Sequence, residues 1–130
     1  MMAVHAVREV ANTRYRAVAG EIDHIAPDPD AIEELGDEIA TLSAHIHAAT
    51  QRLLVLIAEF DRLRGWEGSG HRSCAHWLAF RTGIDLGAAR EKVRAARALQ
   101  TLPLTSAAMA RGELSFSQVR AVSRVATIAT

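Results

Sequence analysis

Residues 31–64 read AIEELGDEIATLSAHIHAATQRLLVLIAEFDRLR, and within them Ile32, Ile39, Ile46, Leu53 and Phe60 recur every seven residues. Leu35, Leu42, Ala49, Leu56 and Leu63 form a companion row offset by three. Two apolar rows with that offset make a heptad seam, the pattern of a long helix that packs along one stripe. Asp30, with Glu33 three residues later, predicts the N-terminal cap, and Glu33, Glu34, Asp37 and Glu38 sit where a helix dipole favours anions. Arg62 and Arg64 followed by Gly65 predict the stop. At 1.5 Å per residue such a helix is roughly 50 Å long. Around Leu53 to Phe60 the apolar residues Leu54, Val55 and Ile57 fall outside the seam, which places the centre of the core there.

Ahead of this stretch, Val4, Val7, Ala11, Tyr15, Val18, Ile22 and Ile25 sketch a first helix over residues 1–26. Pro27-Asp28-Pro29 ends it, because each proline pushes its predecessor out of helical geometry. With the long helix at 30–64, the expected arrangement is an antiparallel helical hairpin.

Over residues 65–130 the style changes to short helices with explicit punctuation. Ser73 caps a helix from Cys74 to Thr82 ended by Gly83, and Asp85 caps one from Leu86 to about Thr101, ended by Leu102-Pro103. A short turn then runs to Arg111, with Gly112 as its stop. Ser115 and Gln118 form a capping-box pair for a last helix with Val119, Val122, Ala126 and Ala129 on its apolar face. No stop signal precedes Thr130, so the last helix reads as cut short and the domain as truncated at its C-terminus. The expectation is one all-α domain, 1–130, with several short helices packed against the long one.

The 15 basic and 15 acidic residues cancel, but unevenly. Through Arg64 there are 6 Arg against 11 acids, giving −5; from Gly65 on there are 8 Arg and Lys92 against 4 acids, giving +5. The second half is therefore the candidate anion-binding half, although opposite charges also help two halves pack. Cys74 is the single cysteine, which leaves no intrachain disulfide and fits a reducing compartment. No apolar stretch approaches the ~20 residues that span a bilayer, and the start has no signal-peptide pattern, so a cytoplasmic protein without a membrane partner is expected.

At Gly70, Ser73, Trp77 and Leu78, then Gly83 and Ile84, then Ala89, Val93, Ala96, Arg97 and Leu99, then Leu102-Pro103, Gly112, Leu114 and Ser115, the chain resembles the domain of unknown function 222 family. That family forms the helical N-terminal region of many actinobacterial HNH endonuclease-like proteins, including the 13E12 repeat family. The resemblance spans about half the chain and implies a helical module that accompanies a mobile-element-type nuclease system. An HNH site needs a His pair with an intervening Asn to hold a metal and activate water. The only asparagine is Asn12, in a helical stretch, so no catalytic residues and no enzymatic activity are expected of these residues.

Arg90, Arg94 and Arg97 lie at i, i+4 and i+7, within about 60° of one helix face, with Lys92, Arg120 and Arg124 close by if the last helix packs alongside. Such a stripe can neutralise successive phosphates of DNA. Arg90, Arg94, Arg97, Arg120 and Arg124 are on this spacing the candidate groups for contacting the nucleic-acid backbone. The same pattern also describes a solvated face opposite Leu86, Ala89, Val93 and Ala96, partly offset by Glu91. Ala79-x-x-x-Gly83-Ile84 has the spacing of a helix-turn-helix, and Ala108-x-x-x-Gly112 echoes it. His71, Cys74 and His76 are potential zinc ligands without the second pair that a structural site requires, so no metal and no cofactor is expected. Trp66 and Trp77 read as core anchors, the latter beside Leu78 and Phe80. A second reading of the whole is a structural or protein-interaction module whose seam recruits another copy, and a third is a non-functional remnant of an interrupted gene.

Overall fold

The computed structural model describes residues 26–129, which hold five α-helices and no strand: α1 (Pro29–Arg62), α2 (Cys74–Thr82), α3 (Leu86–Leu99), α4 (Pro103–Ala110) and α5 (Phe116–Ala129). The fold is all-α. The expected first helix, and with it the hairpin, lies outside the described residues. Two compact units divide the chain, one through Ile39 and the other from Ala40 on.

In the first unit the described residues form the opening turns of α1. Its cap is Asp28, not Asp30: the Asp28 carboxylate accepts the Asp30 amide at 3.0 Å, and the Asp28 carbonyl accepts the Ile32 amide at 3.0 Å. The reason lies in Pro29, whose fixed φ and missing amide suit the first helical position. Ile32, Leu35 and Ile39 are exposed here.

The second unit is built around α3. Ala89, Val93, Ala95, Ala96 and Leu99 are buried on it, and its backbone lies against α2, α4 and α5. Three alanines and a valine leave little side chain between the backbones, so the neighbouring helices approach closely. Residues from α1 complete this core, but of the heptad seam only Phe60 packs against it. Leu54, Ile57 and Ala58 are buried, Leu54 at 0 % exposure, whereas Leu42 and Ile46 are 59 % and 56 % exposed. Val55, expected near the core, is exposed as well. The stripe that meets the short helices is therefore the one next to the seam.

Local signals place α2, α3 and α5 where the sequence predicts them, while the stretch expected as a short turn before Arg111 is the helix α4, which Pro103 opens at its first position. Ser73 Oγ accepts the His76 amide at the start of α2, and Asp85 accepts the Gly87 amide at the start of α3. Ser115 and Gln118 exchange reciprocal bonds of 2.9 and 3.2 Å ahead of α5, as a capping box should. α3 stops at Leu99, two residues short of the expected end. The chain reversal after α1 differs from expectation: Arg64, at φ 54°, takes the left-handed position. Gly65 is needed because any Cβ there would collide with the Phe60 ring. Phe60 stacks on Trp77 with centroids 4.1 Å apart, while Phe80 stands outside the core, 79 % exposed.

On α5 the buried pair is Val119 and Ser123, and Val122 faces out. The helix is turned relative to the expected Val119–Val122 face because Ser123 Oγ has polar partners inside, accepting from Arg94 Nη1 at 3.1 Å and donating to the Arg120 carbonyl at 2.9 Å. A satisfied hydroxyl can be buried at little cost.

Gly112, at φ +79°, ends the α4 segment where a Cβ would sit 2.7 Å from the Ala44 carbonyl oxygen of α1. Both the backbone conformation and the space demand glycine. Gly112→Ala is expected to lower unfolding free energy by about 1–3 kcal/mol or more. Gly68→Ala, where nothing lies within 4 Å, should change it by less than about 0.5 kcal/mol. Urea denaturation of both variants reads the difference.

Candidate nucleic-acid interface

The arginines of α3 and α5 meet across a single carboxylate. Glu91 accepts Arg94 Nη2 at 2.9 Å from its own helix, and from α5 it accepts Arg120 Nε at 3.0 Å and Arg124 Nη2 at 3.1 Å. The i,i+3 pair with Arg94 was legible in sequence, whereas the other two partners arrive only through packing. Three guanidinium groups pull the Glu91 carboxyl down to about 2, Arg94 contributing most. Arg94 is further tied to Ser123 and to the Arg120 carbonyl. This cluster joins α3 to α5, and its one carboxylate balances one of the three guanidinium charges.

Arg97 turns the other way, toward α1. Its Nε and Nη2 grip the two oxygens of Asp61 at 2.7 and 3.1 Å, a bidentate pair on a carboxylate that is mostly enclosed. The bond from Arg97 holds Asp61 below the usual carboxylate range against the opposing effect of burial. Arg90 differs from the other four: it is exposed and forms no ion pair or hydrogen bond among the described residues. Lys92 lies over the Phe116 ring, 3.7 Å from its centroid, and burial lowers its pKa. A half-buried ammonium held on a ring is not poised for a phosphate.

The five arginines thus play unequal parts: Arg94, Arg120 and Arg124 gather on Glu91, Arg97 pairs with Asp61, and Arg90 has no partner among the described residues. Charge over the whole second unit remains lopsided: from Ala40 on, twelve Arg and Lys residues face six Asp and Glu residues, a net of +6. Five of those six acids are already in ion pairs: Glu59, Asp61, Glu67, Glu91 and Glu113. Among the described residues Arg52, Arg72, Arg81 and Arg90 have no acidic partner.

The helix pair α2–α3 has the order of a helix-turn-helix, with Gly83 in the turn, but its second helix is enclosed by its neighbours. A recognition helix must offer a long free face to a groove. Here α3 presents only a narrow strip that includes Arg90 and Arg97.

Cys74 lies at the start of α2, buried, with its pKa pushed up to about 11 by burial and by the nearby Asp61 charge. Nucleophilic attack requires the thiolate, so this thiol is inert at neutral pH. His76 Nδ1 is 2.7 Å from Ser73 Oγ, a local contact within the cap. Among the described residues no group of three His, Cys, Asp or Glu side chains converges on a metal-sized space. No described helix is long and apolar enough to cross a membrane.

The domain of unknown function DUF222 matches residues 29–129, nearly all of the described residues. The chain belongs to this family. No curated protein and no solved structure matches it.

Because the folded Glu91 carboxyl titrates near 2 rather than at the ordinary 4.5, its contribution to stability is full above about pH 5 and is lost as pH falls toward 2. Glu91→Gln should be less stable than the parent at pH 7 and lose less on acidification. Urea midpoints measured from pH 7 down to about 2 test this, and parallel curves for the two proteins would exclude the cluster as a stabilising element.

Proposed function

We propose that this chain is a non-catalytic helical module that associates with nucleic acid through the sugar-phosphate backbone. Its setting would be that of the helical region of HNH endonuclease-like, 13E12 repeat proteins, which the sequence resembles. The observation that carries this reading is the charge of the compact unit: a net of +6, with five of its six carboxylates already held in ion pairs. A polyanion then meets uncompensated guanidinium groups without competing acids. Arg90, Arg94, Arg97, Arg120 and Arg124 form the contact region, with Arg90 the free member and the rest lending their outward N–H groups while staying paired. Backbone contact without base readout follows from the enclosure of α3, and it makes binding indifferent to sequence.

Fluorescence anisotropy of a labelled DNA duplex tests the proposal. With three phosphate contacts, affinity should fall roughly 40-fold between about 50 and about 200 mM salt. Simultaneous replacement of Arg90, Arg94 and Arg97 by Ala should flatten that dependence. An anisotropy unchanged by protein at low ionic strength would exclude nucleic acid as partner.

A second reading rests on a different observation. Along α1 in the compact unit Leu42, Ile46, Leu53, Leu56 and Leu63 are all exposed, more contiguous apolar surface than a lone domain usually leaves in water. Heptad rows pack against like rows, so self-association through this seam is the expected use. Sedimentation should then show dimers or larger species that Leu42→Asp dissociates, and a monomeric parent protein at micromolar concentration would remove this reading.

A further inference from the structure

A cleft of about 280 Å³ opens between the first turn of α2 and the arginine face of α3, lined by Ser73, Cys74 and Ala75 on one side and by Arg90, Arg94 and Arg97 on the other. From this arrangement we infer that the cleft is a discrete site for one phosphate group, with Arg90 as its principal ligand. The inference rests on the anion-binding reading above and narrows it from a charged face to one pocket.

The donors divide cleanly between those already used and those still open. Arg94 gives its Nε and Nη2 to Glu91, the second hydrogen of Nη2 to the Arg120 carbonyl and one hydrogen of Nη1 to Ser123, so a single Nη1 hydrogen remains open. Arg97 commits Nε and Nη2 to Asp61 and keeps Nη1 unused. Arg90 keeps its entire guanidinium, which can bind two oxygens of a phosphate side by side. On the facing wall, the backbone amides of Cys74 and Ala75 are the first two of α2, and no acceptor within the helix can reach them. The side chain of Ser73 is occupied with the His76 amide.

The acids nearest the cleft, Asp61 and Glu91, are each offset by arginine, although the Asp61 charge still reaches Cys74. The Cys74 thiol is protonated at neutral pH. Binding without covalent chemistry follows, since the one nucleophile in the pocket is in its inert form. A tetrahedral oxyanion bearing two negative charges fits this donor set better than a carboxylate, which has only one edge to offer. The phosphate can belong to a nucleic-acid backbone or to a free phosphorylated small molecule.

Inorganic phosphate titrated into the full chain, followed by amide NMR shifts, provides the test. Saturable shifts at Cys74 and Ala75 are expected, with affinity reduced tenfold or more in Arg90→Gln and unchanged in Arg81→Gln, an exposed arginine that does not line the cleft. Circular dichroism confirms that both variants fold. Absence of saturable shifts, or equal losses in the two variants, overturns the site. The same proteins titrated with a DNA duplex separate this inference from the proposed function. Phosphate bound in the cleft but no duplex binding leaves the site standing, assigns it to small phosphorylated molecules and sinks the nucleic-acid reading. Duplex binding that survives Arg90→Gln, with no phosphate in the cleft, sinks the site alone.

Discussion

Keeping α3 away from water governs the compact unit. An amphipathic surface helix needs one covered stripe, but α3 buries Ala89, Val93, Ala95, Ala96 and Leu99 and therefore needs neighbours on several sides. α2, α4 and α5 supply their backbones, and α1 supplies Leu54, Ile57 and Ala58. Fully burying a side chain such as Leu54, Val93 or Leu99 contributes roughly 1.5–3 kcal/mol. The alanines contribute less by area, but they set the spacing that makes those larger burials possible. Polar links then fix the angles. Asp61 with Arg97 ties α1 to α3, Glu91 with Arg120 and Arg124 ties α3 to α5, and Gln51 with Ser106 ties α1 to α4 at 3.1 Å.

This organisation explains why charge on the protein and charge available to a partner differ. Arginines placed between helices are consumed in holding them, and only those on the outer rim remain for a ligand. Arg90 sits one helical turn from Arg94, yet one is free and the other holds three partners. Spacing on a helix determines a face. Packing determines which members of the face are spent.

The sequence was most readable where structure is decided locally. Ser73, Asp85, the Ser115–Gln118 pair and the Gly83 turn act over three or four residues, so the edges of α2, α3 and α5 could be placed from the chain alone. Tertiary choices were not readable in that way. Heptad spacing correctly indicated a long helix, but two neighbouring stripes of α1 are both apolar, and nothing in the spacing says that Leu54 and Ile57 would go inside while Leu53 and Leu56 stay out. The burial of Ser123 could not be read because it depends on Arg94, 29 positions earlier. The gathering of arginines around Glu91 is hidden for the same reason, since Arg120 and Arg124 lie 29 and 33 positions further on. Of the five expected contact residues, the chain alone gave no means of ranking Arg90 first.

The exposed row on α1 has an evolutionary corollary. Side chains sealed inside a domain are held constant by packing, whereas those facing solvent drift toward polar types unless something else restrains them. Across DUF222 members, Leu42 and Ile46 can thus serve as a historical record. Aliphatic identity retained there through long divergence would mark a surface that has always met another molecule, and replacement by lysine or glutamate would mark one that never did.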